Sequence, residues 1–219
     1  MSRGSNLPRY KSGEELAHGI THGVGLLLAI VAMAVLTAGA SSSGSARHLV
    51  SCSIFGVSLI ILYAASTLYH TIQHPRAKAV LQFFDHSAIF LLIAGTYTPF
   101  TLVNLHGPWG WSLFGLIWGL AILGIVLQFS LLRRFGFLRI VLYVTMGWVI
   151  VVAIKPLLAS VPPVGLGLLV AGGVAYTAGI GFYVWHRLPY HHAIWHLFVL
   201  AGSGFHFLAV YYSVIPFRL

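Results

Sequence analysis

Acidic residues are almost missing from this chain. Among its 219 residues there are three, Glu14, Glu15 and Asp85, set against twelve Lys/Arg, and charged residues of both signs make up only 7%. Soluble domains carry about 25%, so a water-exposed globule is excluded. Cys52 is the sole cysteine, which excludes an internal disulfide and a cysteine-based metal cluster. No phosphate-binding loop, Gly-x-Ser-x-Gly elbow or pair of carboxylates poised for acid–base work is present. Long polar linkers are missing as well, and no internal repeat is visible, so residues 18–219 read as one domain behind a short cytoplasmic tail, 1–17.

What fills the chain is apolar. Hydrophobic residues reach 58%, and mean hydropathy is +0.91. Seven uninterrupted runs are expected to be membrane-spanning helices: Gly19 to Ala40, Leu49 to His70, Phe83 to Leu102, Trp109 to Leu132, Phe137 to Leu158, Val164 to Trp185 and His192 to Ile215. Each approaches or exceeds about 20 residues, enough for a hydrocarbon core roughly 30 Å thick. A barrel would instead alternate apolar and polar residues over about ten-residue strands. The expected fold is therefore an all-α, multi-pass seven-helix bundle. Ser12 and Glu15 have the spacing of a capping box at the first helix. Ala38-Gly39-Ala40 resembles a signal-peptidase site, but the run before it is longer than a typical h-region and its leader holds two acids, so the helix reads as retained. Thr71 to Lys78 reads as a loop.

The excess positive charge, +9, sits between the apolar runs and describes topology rather than a nucleic-acid surface. With the N-terminus inside, nine Lys/Arg fall inside: Arg3, Arg9, Lys11, Arg76, Lys78, Arg133, Arg134, Arg139 and Arg187. Three fall outside: Arg47, Lys155 and Arg218. This favours a cytoplasmic N-terminus and an outside C-terminus.

On that topology the polar residues of the spans collect at one depth. Ser66 and His70 lie four apart at the end of the second run, Asp85 opens the third, and His192 and His196 lie four apart at the start of the seventh. Four-residue spacing stacks side chains on one helix face. Ionisable groups inside a membrane are costly and mark sites. Three imidazoles with an open fourth position describe a catalytic zinc site, and Asp85 is the sole carboxylate near a later span to balance the cation. His18 and His22, also four apart, are a rival pair. His206 lies ten residues beyond His196, about 15 Å along the axis, too far for the same ion but able to line a cavity. Gly172-Gly173 reads as a site of close helix packing.

These residues together resemble a known family. Glu15 with Thr21-His22-Gly23, Ser66-Thr67-Leu68-Tyr69-His70, Gly95-Thr96-Tyr97-Thr98-Pro99-Phe100, and His192-Ala193-Ile194-Trp195-His196-Leu197 with His206 are similar to motifs of the hemolysin III family. That family is the bacterial branch of the progestin and adiponectin receptor superfamily, and it is related to alkaline ceramidases. The resemblance implies seven helices, zinc held by His70, His192 and His196, and a cavity reaching toward the membrane. Glu15 and His22 would act behind the ligands, Asp85 and Ser66 in catalysis. Membrane lipid is the implied substrate, and hydrolysis of a lipid amide the implied reaction. The short N-terminal tail lacks the large cytoplasmic region of the animal receptors. A non-enzymatic regulator or sensor of membrane state, and a lytic protein as the family name suggests, are the alternatives.

Overall fold

The computed structural model describes residues 10–42 and 45–215. Arg3, Arg9 and Arg218, used in the charge count, lie outside them. Seven helices are long and apolar enough to cross a membrane: Ser12–Ser42, Ala46–Thr71, Pro75–Leu105, Gly107–Gln128, Gly136–Ser160, Pro163–Val184 and His191–Ser213. A short helix, Leu131–Arg134, joins the fourth to the fifth. Among the described residues there is no strand.

Three boundaries differ from expectation, each for a local reason. The first helix begins at Ser12, but Ser12 and Glu15 do not form the expected capping box. Glu14 accepts the Lys11 N–H at 3.0 Å instead, while Glu15 turns inward and is 8% exposed. The third helix begins at Pro75, so the connection is only residues 72–74, not the expected loop through Lys78. Proline suits a first helical position, because its missing N–H has no intrahelical partner there. Asp85 thus stands ten residues into the third helix, which overhangs the end of the second. The fifth helix is interrupted by a 3-10 stretch, Val149–Ala153. Tyr97 stabilises the interruption: its hydroxyl donates to the Met146 and Gly147 carbonyls, both at 2.9 Å, and accepts the Ile150 N–H at 3.0 Å.

Consecutive helices pack side by side from the first to the fourth, and the seventh closes the bundle against the first and sixth. Leu36, Phe55, Ala209 and Val210 are fully buried in the main apolar core. A second core, around Phe90, Ile117 and Met146, joins the third, fourth and fifth helices. The fifth and sixth helices barely meet, so a seam runs between them. Glycines allow the closest approaches elsewhere. A Cβ on Gly25 would stand 2.6 Å from the Tyr63 ring, and one on Gly172 2.6 Å from the His206 ring.

An odd number of spans puts the chain ends on opposite faces. A reporter fused at the 72–74 connection is expected inside and one fused after Leu219 outside, following the nine-to-three distribution of basic residues. Protease protection of both reporters on the same face would overturn this orientation.

Candidate metal centre

The first, second and seventh helices each bring histidines to one end of the bundle. His18 and His22 come from the first helix, His70 from the last turn of the second, and His192 and His196 from the first two turns of the seventh. All five are buried. His18, His70 and His192 offer ring nitrogens within 4.8 Å of one another and can hold a metal ion. The His196 ring adjoins this triplet, with centroids 4.6 Å from His192, 5.3 Å from His70 and 5.5 Å from His18. His22 stacks on His196 at 3.4 Å. The tightest triplet therefore contains His18, which the sequence reading left as a rival without an assigned role.

Hydrogen bonding distinguishes the rings. A carboxylate can only accept, so His70 Nδ1–H donates to Glu15 Oε2 at 2.7 Å. The Thr21 hydroxyl spends its single proton on the Ala17 and His18 carbonyls, each at 2.9 Å. With that proton on a carbonyl, it accepts from His196 Nδ1–H, 3.0 Å away. In the neutral rings of His70 and His196 the lone pair is then on Nε2, and both Nε2 atoms are buried without a protein partner. His192 repeats the arrangement more loosely: Nδ1 meets the Tyr10 hydroxyl at 3.4 Å and Nε2 is unpartnered. A phenol can donate or accept, so this contact does not settle the His192 proton. Burial pushes the Tyr10 phenol above its ordinary range, which keeps it protonated. His18 and His22 have no hydrogen-bond partner on either nitrogen.

Histidine ligands commonly donate their second N–H to a carboxylate or another acceptor, which sets tautomer and ring orientation. Three orphaned Nε2 atoms behind three partnered Nδ1 atoms fit that requirement. Glu15 is itself fastened: Lys78 Nζ reaches Glu15 Oε1 at 2.8 Å and also donates to the Tyr69 carbonyl at 3.1 Å. The sequence reading put Lys78 in a loop; it is 6% exposed and closes a Lys78–Glu15–His70 chain. Only the family resemblance, which set Glu15 behind the ligands, pointed there.

Asp85 is 7% exposed, beside Ser66 and His70. Ser66 Oγ is buried without a close hydrogen bond of its own. Two cavities meet at Asp85 and His192. One, about 340 Å³, is apolar; it runs along the fifth–sixth seam past Trp148 and Ile154 to Leu166, and His206 lies on its wall. The other, about 690 Å³, is walled by Tyr10, Gln82, Gln128 and Arg133 at the basic end of the bundle. Arg139, counted in sequence as a connecting-segment charge, is instead 9% exposed and donates to His86 Nδ1 at 3.0 Å. His86 accepts from Arg139 and turns its ring away from the histidine cluster. His191 likewise turns aside, to the Phe182 carbonyl at 3.2 Å.

Comparison with known proteins agrees with the fold. A family model described as "Haemolysin-III related" matches residues 10–207. The chain is 49% identical over 203 residues to "Hemolysin-3" of Bacillus cereus, covering 93% of each chain. It is 48% identical over 206 residues to the "Hemolysin-3 homolog" of Bacillus subtilis (strain 168), covering 93% of this chain and 97% of that one. At 28% identity over 211 residues it is similar to the "Monocyte to macrophage differentiation factor" of Homo sapiens, covering 93% of this chain and 86% of that one.

Proposed function

Because the chain belongs to the haemolysin-III-related family of seven-helix membrane proteins, we propose that its histidine cluster is a zinc centre for hydrolysing an amide bond in a membrane lipid. The observation that carries the reading is three histidines with Nδ1 engaged and Nε2 unpartnered, set at a cavity fork. His70, His192 and His196 would hold the ion through Nε2, since each has Nδ1 engaged and Nε2 free. Zinc on three nitrogens lowers the pKa of bound water to about 7 and polarises a carbonyl.

The chain's own groups supply the rest. A lipid tail fits the apolar cavity, its polar end fits the basic-end cavity, and the bond between them falls beside Asp85 and His192, where the two meet. Asp85 takes a proton from the attacking water and passes it to the departing amine nitrogen, so an acid and an amine leave. Ser66, whose buried hydroxyl lies beside Asp85, hydrogen-bonds the substrate carbonyl. Glu15, anchored by Lys78, holds His70 in the tautomer that presents Nε2. The location that follows is the bacterial cytoplasmic membrane, with the site in its cytoplasmic half.

A membrane regulator in which the metal is purely structural is the second reading. It is favoured by a ligand set that would tie the second helix to the seventh, a stabilising arrangement whether or not chemistry occurs. A lytic pore has less support: its spans should carry a polar stripe from face to face, and here the described buried charges gather at one end. Purified protein incubated with acyl-amide and acyl-ester lipids tests the proposal. Turnover above a metal-stripped control is expected for amides; none above that control would leave the structural-metal reading.

A further inference from the structure

We propose that His206 makes the apolar cavity selective for a lipid chain that carries a hydroxyl group partway along its length. The proposal rests on the reading that this cavity takes a lipid tail.

The cavity wall is apolar over most of its length, and the hydroxyls on it are used internally. Thr96 donates to the Leu92 carbonyl at 2.8 Å and Thr177 to the Gly173 carbonyl at 2.7 Å. Tyr176 shares a 2.8 Å contact with Ser203, which also receives the Tyr63 hydroxyl at 2.8 Å. Among the described residues on this wall, three carry buried side-chain atoms without a partner: His22, His192 and His206. The first two belong to the histidine cluster. His206 stands alone, about 15 Å from His196 by helical rise over the ten residues between them.

The chemistry of that position is settled by its other nitrogen. His206 Nε2 lies 3.3 Å from the Leu169 carbonyl, which can only accept, so Nε2 carries the proton. Nδ1 is then an acceptor, 92% of the residue is shielded from solvent, and no protein donor reaches it. The ring is held in place by the bare backbone of Gly172 on one side and the Tyr176 ring, 5.4 Å away, on the other. An unmet acceptor in a dry site favours a ligand that donates and gives nothing to one that cannot. A hydroxyl donates; a keto oxygen at the same place does not. The selected class is therefore a hydroxylated acyl chain, not merely an oxygenated one.

Binding to the purified full chain distinguishes the possibilities, with three fatty acids measured by calorimetry: ricinoleic acid, its keto analogue and oleic acid. Ricinoleic acid carries its hydroxyl at a distance from the carboxyl comparable to the separation of His206 from the cluster. It is expected to bind at least about fivefold tighter than oleic acid, the size of one net hydrogen bond. The keto analogue should bind no tighter than oleic acid. In His206→Phe, which keeps a planar ring against Gly172, the hydroxyl preference should vanish while oleic acid affinity stays within about twofold. His206→Met repeats the comparison should the Phe variant fail to fold. Equal affinity for all three acids in the unmodified protein, or a preference that survives both substitutions, overturns the assignment of His206 alone. No binding of any of the three overturns the lipid-cavity reading with it.

Discussion

Replacing His70, His192 or His196 by Ala is expected to empty the centre of metal, measured as ions per chain in the purified protein. Each substitution leaves two ring ligands of the proposed set, too few for a stable site of this kind. The loss should also show in thermal stability. A ligand present at about a thousandfold its dissociation constant stabilises the folded state by roughly 4 kcal/mol. For a chain of this size that corresponds to a melting point lower by on the order of 10 °C. A metal on the proposed ligands would join the second helix to the seventh, and its removal would leave buried ring nitrogens facing one another unpaired. His18→Ala provides the contrast. Its ring sits in the buried triplet that can hold a metal, yet neither of its nitrogens is hydrogen-bonded, and Glu15 Oε2 stands 4.0 Å from its Nδ1. Metal content should survive His18→Ala. Loss of metal there, with retention in His196→Ala, would assign the third ligand to the first helix instead. Glu15→Gln should fall between the extremes, weakening metal affinity by about 10–100-fold, because a carboxamide holds the His70 N–H less strongly.

Asp85→Asn is expected to separate metal binding from chemistry. The substitution preserves size and removes the charge and the proton acceptor. Asp85 is not among the residues that approach as ligands, so metal content should remain near one per chain. Amide hydrolysis should fall by about 10²–10⁴-fold, the usual contribution of a positioned general base. The measurement is turnover of the best lipid amide, with metal content determined on the same preparation. Undiminished turnover in Asp85→Asn would remove Asp85 from the reaction. A parallel fall in metal content would place it in the ligand set rather than in proton transfer. Ser66→Ala should have a smaller effect, of the order of a single lost hydrogen bond to the substrate.

Much of the architecture was legible before any coordinates, because the membrane imposes it. With so few charges, each long apolar run has to be a helix that satisfies its own backbone. Four-residue spacing put His192 with His196 and Ser66 with His70, and the alternation of span direction placed both pairs at one depth. What periodicity cannot state is which faces of distant helices turn toward each other. His18 and His22 were visible as a pair, but only the closure of the seventh helix onto the first brings them against His196 and His192. Spacing made Glu15 a helix cap and Lys78 a loop charge, and only the family resemblance set Glu15 behind the ligands. Burial forces the two charges to pair, and the 2.8 Å contact beside His70 results. Arg139 looked like a topology signal; packing of the fifth helix against the third turned it onto His86. Residue type and spacing alone thus determined the number of helices and the chemistry available at one end. The membership of the cluster, the hydrogen bonds behind His70 and His196 and the cavity along the open fifth–sixth seam were decided by tertiary packing, since they depend on contacts between helices far apart in the chain.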